Sequence, residues 1–476
     1  MLFNSFAYLV FLPLAVALAF AAPRGARWAV LLGLSVVFYG WWNPLYLIPL
    51  AVSAGVDYVA ARQMARHATR RARRAWLIAS VSINLGMLFA FKYADFALST
   101  AAWLSNGAWA APVLGLVLPV GISFYTFQSL AYTVDVYRGR ERAEPNAGRF
   151  FLYVLFFPQL VAGPIERSTA LMPQLRVEPR WSAARAASGL LLILWGLTKK
   201  VVVADRLALY VNSVYADPGG YGMADLWLAT YAFAFQIYGD FSGYSDIAIG
   251  SARILGVDLM RNFRTPYSSA SVTESWRRWH ISLSTWFRDY LYIPLGGNRK
   301  GETRTRLHLL AVFLVSGLWH GAAWTFVAWG ALHGAFVLAE RVTADARERL
   351  WARVGPGLRR LRRPLALVVT FHAVVLAWVF FRAPSMDVAA TVLARMTDLT
   401  TLALPGSPRD FGPVRIVLAL ALVSAMLWIE ARAGDAGVER WAAASPWRRR
   451  LFVVGCLVAL AVLGIFRETA FIYFQF

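Results

Sequence analysis

Cysteine and charged residues are both scarce in this sequence. Cys456 is the single cysteine among 476 residues, so the chain has no disulfide framework and no thiolate metal cluster. Charged residues make up 16% of the chain, against roughly 25% in soluble domains. The GxSxG, P-loop and GxGxxG motifs are also missing, which leaves serine hydrolase, ATPase and dinucleotide-binding functions without support.

The six histidines are too widely spaced for a helical metal site. No two of them lie three to five residues apart, which is the spacing of HxxxH-type ligand pairs. The sequence therefore predicts no metal centre. The histidines are His67, His280, His308, His320, His333 and His372.

Long apolar segments fill most of the chain, which is 59% hydrophobic. Several reach the roughly 20 residues needed to cross about 30 Å of hydrocarbon. A transmembrane barrel would show alternating segments of about ten residues instead. The pattern predicts an all-α polytopic membrane protein. The apolar runs are 5–22, 28–61, 75–91, 109–136, 187–203, 226–238, 307–339, 365–381, 414–429 and 451–466.

The net charge of +22 is concentrated in a few arginine-rich loops, namely 62–74, 138–149, 341–363 and 432–450. This distribution is typical of the positive-inside rule and predicts that these loops face the cytoplasm. The same charges favour contact with anionic membrane lipid rather than with nucleic acid. The first apolar run has no positive charge before it, which favours an uncleaved helix with its N-terminus outside.

Following these loops along the chain predicts about eleven spans with both termini outside. Pro44 favours a break within 28–61, and Pro158, Gly163 and Pro164 interrupt the region 150–210, which we interpret as re-entrant or buried in protein. No linker or internal repeat divides the chain, so we expect one domain over 1–476.

The segment 236–250, "QIYGDFSGYSDIAIG", carries Asp240 and Asp246 in an otherwise apolar and small-residue helix. Carboxylates inside a membrane are costly and usually face a cavity or a partner. Two interpretations remain open. Either these residues belong to a functional cavity, or they hydrogen-bond neighbouring helices as structural links.

The segment 274–301 predicts an amphipathic helix along the cytoplasmic interface, ended by Pro294 and two glycines. At a helical period His280 falls on its apolar face with Trp276, Trp279, Leu283, Phe287 and Tyr290. The basic tail, which includes Arg299 and Lys300, could hold a phosphate-rich donor. The alternative is ordinary positive-inside charge.

Two histidines occur in "LVSGLWHGAAWTFVAWGALHG", residues 314–334. The run 307–339 is too long for one span, yet both of its flanks are basic, so the chain should enter the membrane and return. His320 then lies near the turn, deep in the membrane, with small residues around it. Imidazole suits proton transfer near neutral pH, and His333 is the weaker candidate.

Together these segments resemble the membrane-bound O-acyltransferase family in its bacterial alginate O-acetylase branch. The matching pieces include "RRWHISLS" and "GLWHG", a specific pair, within a catalytic region of about 150–340. Similar pieces are "LVAGPIERS" (160–168), "QIYGDFSGYSDIAIG" (236–250), "AWVFFRA" (377–383) and the C-terminal "FIYFQF". His308, Gly239 and the "ESW" at 274–276 depart from the usual pattern of this branch.

The resemblance implies a multi-helix disc with a central funnel and re-entrant and interfacial helices. It assigns the essential role to His320 and a second role, nearer the cytoplasmic entrance, to His280. The remaining candidates for substrate or donor binding are Asp240, Tyr244, Arg277, Arg278, Trp319, Arg299 and Lys300. No cofactor is expected, since acetyl-CoA would be a donor substrate.

The resemblance also implies the activity. It predicts an O-acetyltransferase of the bacterial inner membrane, with periplasmic termini, that passes acetyl groups from cytoplasmic acetyl-CoA to a polysaccharide such as alginate. A periplasmic SGNH-type acetyltransferase would be the partner. Peptidoglycan or another exopolysaccharide could be the acceptor instead, and a D-alanyl carrier protein is a less favoured donor.

A transporter or flippase is the alternative from another class, because it too tolerates buried His and Asp. A purely structural scaffold would leave these residues unexplained.

Overall fold

The computed structural model describes residues 1–23, 25–106, 108–160, 163–402, 412–466 and 471–472. Most of these residues are helical, and no β-strand occurs among them. This confirms the predicted all-α class. The C-terminal residues 473–476 of "FIYFQF" lie outside the described part of the chain.

The α-helices are numbered in chain order. Their bounds are α1 Phe6–Ala21, α2 Arg27–Gly40, α3 Leu47–Arg66, α4 Arg70–Leu88, α5 Ala94–Leu104, α6 Ile122–Tyr137, α7 Ala147–Leu155, α8 Phe157–Leu160, α9 Ser168–Arg176, α10 Ala183–Leu197, α11 Asp205–Ala216, α12 Met223–Ile254, α13 Val272–Arg278, α14 Ile281–Phe287, α15 Ile293–Leu295, α16 Glu302–His320, α17 Trp324–Val342, α18 Ala344–Arg353, α19 Pro356–Arg359, α20 Arg362–Arg382, α21 Met386–Arg395, α22 Pro413–Ala433, α23 Val438–Ala443 and α24 Pro446–Leu463. Three π-helical segments, Phe89–Tyr93, Thr198–Ala204 and Arg288–Tyr292, connect α4 to α5, α10 to α11 and α14 to α15. Short 3₁₀ turns are Pro44–Tyr46, Pro218–Gly220, Pro266–Ser268, Leu399–Thr401 and Gly434–Ala436.

Five helical stretches within the described ranges are long and apolar enough to cross a membrane. They are Pro44–Arg66, Arg70–Leu104, Ala183–Ala216, Pro356–Arg382 and Pro413–Ala436. Two shorter apolar helices, α1 and α2, precede them. The chain is thus a multi-pass membrane protein, while the count of about eleven spans stays a prediction.

The first of two compact units comprises Met1–Leu194 and Tyr244–Met260. Its helices are interrupted near the prolines, as the sequence predicts. The chain leaves the helical conformation after Gly40 and resumes at Leu47, with Pro44 opening a 3₁₀ turn between them. The region around Pro158 and Pro164 forms short helices, α8 and α9, rather than a continuous one. Its re-entrant path through a membrane stays a prediction.

The second unit comprises Trp195–Gly243 and Arg261–Ile472. Its most prominent feature is the hairpin of α16 and α17, which confirms the predicted reversal within 307–339. The two helices approach closely because glycines face the partner backbone. A Cβ at Gly317 would collide with the carbonyl oxygen of Phe326, and one at Gly330 with that of Phe313.

The prediction of one amphipathic helix in 274–301, continuous as far as Pro294, is wrong. Helix α13 ends at Arg278, α14 begins at Ile281, and His280 between them has a φ of 42°. A continuous helix would pair the Ile281 amide with the carbonyl four residues before it. That amide instead donates to the carbonyl of Asn262 at 3.0 Å, and the Arg278 carbonyl accepts from the Arg264 amide at 3.0 Å. The segment 262–264 therefore takes over the hydrogen bonds that would have continued the helix.

Candidate active site

His320 is the last residue of α16, placed where the hairpin reverses. The next residue, Gly321, has an extended backbone with φ −160° and ψ 150°. A Cβ there would overlap the Phe326 ring. The absence of a side chain at residue 321 thus allows Phe326 of α17 to pack directly beside the end of α16, and this packing fixes the position of His320.

The His320 imidazole is enclosed by aromatic rings and is 3% exposed. Its centroid lies 5.0 Å from the Trp319 ring, 4.9 Å from Trp329 and 5.3 Å from Phe381, all in edge-to-face arrangements. These rings come from α16, α17 and α20, so three helices hold the imidazole in an apolar surrounding. Edge-to-face packing is a favoured aromatic geometry and restricts the ring orientation.

His280 is fully buried between α13 and α14. Its Nδ1 lies 3.5 Å from the Ser282 hydroxyl, and its ring packs edge-on against Phe241 of α12 at 4.7 Å. The Asn262 side chain supports this loop by accepting a hydrogen bond from the Ser282 amide at 3.2 Å. The left-handed backbone at His280 directs its side chain away from the path that the predicted helix would give it.

Trp319 contacts both predicted histidines. Its ring centroid is 6.0 Å from that of His280 and 5.0 Å from that of His320. The second unit therefore brings together three of the residues that the sequence singles out, even though His280 and His320 are 40 positions apart in the chain.

His333 lies on α17, about one helical turn after Trp329. Its Nδ1 accepts a hydrogen bond from the Trp276 indole at 3.3 Å, and its ring lies 4.8 Å from Trp329. Trp329 thus separates His333 from His320. A histidine engaged with tryptophan side chains in this way links α13 to α17, and its catalytic candidacy stays a prediction.

Asp240 is buried in an ion pair with Lys200. The same ammonium lies 2.9 Å from an Asp205 carboxylate oxygen, and Asp240 also accepts the Ile472 amide at 2.8 Å. Asp240 therefore joins α12 to the π-helical segment Thr198–Ala204 and to Ile472 near the C-terminus. This geometry favours the interpretation of Asp240 as a structural link.

A second buried ion pair lies beside the first. Lys199 Nζ is 3.1 Å from Glu430 Oε1, and Glu430 Oε2 accepts a hydrogen bond from the Tyr238 hydroxyl. Sequence reasoning missed Lys199 and Lys200 because it treated 187–203 as an apolar run. Two adjacent lysines inside a stretch long enough to span a membrane were the available signal, since such charges need partners.

The remaining candidates are either exposed or engaged in other contacts. Arg299 and Lys300 are exposed in the turn before α16, and Arg277 is exposed on α13. Arg278 pairs with Glu274 at 2.7 Å within α13. Tyr244 is buried in the first unit, where its ring stacks on Phe3 at 4.6 Å.

These features define an integral membrane protein with two buried histidines gathered by a helical hairpin. Residues 138–379, which include both histidines, match the model of the membrane-bound O-acyltransferase family, MBOAT. The chain belongs to this family, and within it to the branch of the alginate O-acetylases. It is therefore an O-acyltransferase.

Three of the proteins similar to this chain come from different bacteria. The probable alginate O-acetylase AlgI of Azotobacter vinelandii is 40% identical over 402 residues, covering 83% of this chain and 78% of the relative. The protein of the same name from Pseudomonas aeruginosa is 40% identical over 407 residues, covering 84% and 76%. The peptidoglycan O-acetyltransferase of Helicobacter pylori is 36% identical over 405 residues, covering 79% and 74%.

Proposed function

We propose that this protein transfers acetyl groups from cytoplasmic acetyl-CoA across the bacterial inner membrane for O-acetylation of a polysaccharide, with His320 as the general base. The observation that carries the proposal is the pairing of two buried imidazoles through Trp319 at the reversal of the hairpin. The relatives named for O-acetylation of alginate and of peptidoglycan support acetyl as the transferred group.

In the proposed step a hydroxyl oxygen attacks the thioester carbonyl carbon while the His320 imidazole accepts the hydroxyl proton. The C–O bond forms, the tetrahedral intermediate collapses, and the C–S bond breaks. The proton then passes from the imidazolium to the departing thiolate, so the balance closes with an ester and free CoA. General-base catalysis of this kind contributes typically 10²–10⁴-fold. A route through an acetyl-imidazole is the alternative chemistry at the same ring.

Substrates reach His320 only when its aromatic neighbours turn aside, because the ring is 3% exposed. Trp319, Trp329 and Phe381 are the side chains that would have to move. Gating of this kind keeps water from the thioester between turnovers and occurs on a μs–ms scale in many enzymes.

The relatives support two candidate acceptors. Alginate or a related exopolysaccharide is the first expectation, with a periplasmic SGNH-type acetyltransferase as the partner that completes the transfer. The Helicobacter pylori relative makes peptidoglycan the second candidate. Ester-linked acetate released by mild base from each purified polymer distinguishes the two, in cells with and without the gene.

The activity is tested with the full chain in lipid nanodiscs and radiolabelled acetyl-CoA. Wild type should consume the thioester when a polysaccharide acceptor is supplied, and His320→Gln should reduce turnover by at least about 10²-fold. His67→Gln, at the exposed end of α3, is the matched histidine control and should retain activity. Undiminished turnover in His320→Gln contradicts the role of His320, and transport of cargo without thioester consumption indicates the transporter alternative.

A further inference from the structure

A cavity of about 520 Å³ lies within the second unit, away from the histidines. It is bounded by the π-helical segment Thr198–Ala204, by α22 and by α23 and α24. Its walls are almost entirely apolar, with Val202, Leu422, Met426, Phe452 and Cys456 among them. Nothing in the proposed acetyl transfer uses this cavity.

The two charged residues that line the cavity differ in their surroundings. Lys199 is buried at the inner side and is neutralised by Glu430. Arg448 is exposed at the start of α24, where its guanidinium lies 5.2 Å from the Trp441 ring and donates to the Trp441 carbonyl at 3.2 Å. No carboxylate of the described chain lies within ion-pair distance of Arg448. Its positive charge is therefore available to a ligand.

The residues around Arg448 mark the level of lipid headgroups. Trp428 and Trp447 line the cavity and are 54% and 67% exposed. Tryptophan is enriched where a membrane meets water, and basic residues accumulate on the cytoplasmic side. Helix α22, which forms one wall, belongs to a stretch apolar enough to cross a membrane. These residues favour a position of the cavity mouth at a membrane–water interface, with the interior of the cavity toward the hydrocarbon.

The length of the cavity lining along α24 is close to the thickness of the hydrocarbon in one membrane leaflet. From Arg448 to Ala459, both in its lining, α24 advances about 16 Å at a rise of about 1.5 Å per residue. Half of a hydrocarbon core about 30 Å thick is close to this length. An apolar channel of that depth with a single cation at its mouth matches an acyl chain below an anionic headgroup. The polyanionic nucleotide of acetyl-CoA has no comparable fit to these walls.

We propose that this cavity binds an acyl chain of an anionic phospholipid, whose phosphate is held by Arg448. The bound lipid would fill the space between the π-helical segment and the C-terminal helices and would add to the support of α22. The proposal is independent of the acetyl transfer and is tested by binding rather than by turnover.

The charge requirement is tested by native mass spectrometry of the full chain released from nanodiscs of phosphatidylcholine and phosphatidylglycerol. Wild type should retain phosphatidylglycerol preferentially. Arg448→Gln should reduce that preference about fivefold, the effect of one basic residue at a membrane surface. Arg449→Gln removes a neighbouring exposed arginine that does not line the cavity and should leave the preference unchanged. Equal effects of the two substitutions overturn the assignment to Arg448.

The volume requirement is tested at Gly455, which lines the cavity. A Cβ at Gly455 would meet nothing within 4 Å, so Gly455→Leu adds a side chain without a backbone clash. This variant should lose the retained phospholipid. Gly86→Leu on α4 is the matched control, because its Cβ also meets nothing within 4 Å. Retention of lipid in a monodisperse Gly455→Leu protein contradicts occupancy of the cavity.

The single cysteine provides an independent probe, since Cys456 lines the cavity. Alkylation of its thiol by N-ethylmaleimide should slow several-fold when phosphatidylglycerol is added to the delipidated protein, and less with phosphatidylcholine. Protection that is equal for both lipids, or that acetyl-CoA alone provides as strongly, overturns the proposal. If wild-type protein fails to transfer acetyl groups but phosphatidylglycerol still protects Cys456 from alkylation, only the proposed function is contradicted.

Discussion

Gly317 of α16 and Gly330 of α17 face each other across the hairpin that carries His320. A Cβ at Gly317 would lie 3.3 Å from the Cα of Gly330 and against the carbonyl of Phe326. Backbone atoms cannot rotate away as a flexible side chain does, so the helices would have to separate to admit a methyl group. The close approach of α16 and α17 therefore requires glycine at both positions, and it sets the geometry around the His320 imidazole.

Gly330→Ala should lower both stability and acetyl transfer. Overpacking of this kind typically costs about 1–3 kcal/mol, and the displacement would act on the ring contacts of His320. The measurement is the temperature at which the purified protein loses monodispersity, together with turnover. Gly86→Ala, at an open position on α4, should raise or preserve this temperature. A Gly330→Ala protein indistinguishable from wild type would show that the hairpin can widen freely.

Two substitutions can distinguish the role of the His280 backbone conformation from the role of its imidazole. Asparagine tolerates a left-handed φ far better than a β-branched residue does. His280→Asn should therefore fold nearly as well as wild type, and His280→Val should be less stable by about 1–3 kcal/mol. Both should lose acetyl transfer if the imidazole is required. An active His280→Asn protein would restrict the role of residue 280 to its backbone conformation.

The hairpin and the position of His320 could be predicted from the sequence because the signals are local. A run too long for one span, basic residues at both ends and small residues around "WHG" are all contained in 304–341. The break at His280 could not be predicted in this way. It depends on Asn262, which belongs to a preceding loop and takes the hydrogen bonds that would continue α13. A helical period within 274–290 contains no information about that competitor.

The lysine pair illustrates a different limit. The mean hydropathy of 187–203 is apolar, and this average hides the free-energy cost of burying the charges of Lys199 and Lys200. Their partners Glu430 and Asp240 come from helices far along the chain, so pairing emerges only when α12 and α22 pack on the π-helical segment. The sequence indicates that Asp240 is costly in a membrane, but it does not identify Lys200 as the counterion.

Lys200 and Asp240 should differ in the cost of their removal. Lys200→Met leaves both Asp205 and Asp240 buried without their cation, which typically destabilises by about 3–5 kcal/mol. Asp240→Asn leaves Lys200 paired with Asp205 and can still accept the Ile472 amide, so its cost should be nearer 1–3 kcal/mol. The yield of monodisperse protein and its thermal stability measure the difference. The opposite order would show that Asp240 does more than neutralise Lys200.

The exposed ends of the hairpin are joined by an ion pair that should weaken in acid. Arg341 Nε and Nη2 donate to the two Glu302 oxygens at 2.8 and 2.9 Å. These hydrogen bonds hold the pKa of Glu302 below its ordinary value. Because the pKa is lower in the folded state, the contribution of the pair is complete above the ordinary glutamate pKa of about 4.3 and is lost as the pH falls through the lowered value.

Wild type should therefore be slightly more heat-stable than Glu302→Gln at pH 7, and this difference should shrink as the pH is lowered below about 4. Salt at about 1 M should reduce the difference at pH 7 as well, because the pair is exposed and screened. Asp345→Asn, which removes an exposed carboxylate from α18, is the control for the loss of one negative charge at pH 7. A Glu302→Gln difference that persists unchanged in acid and in high salt would mean that residue 302 stabilises the hairpin by packing rather than by its charge.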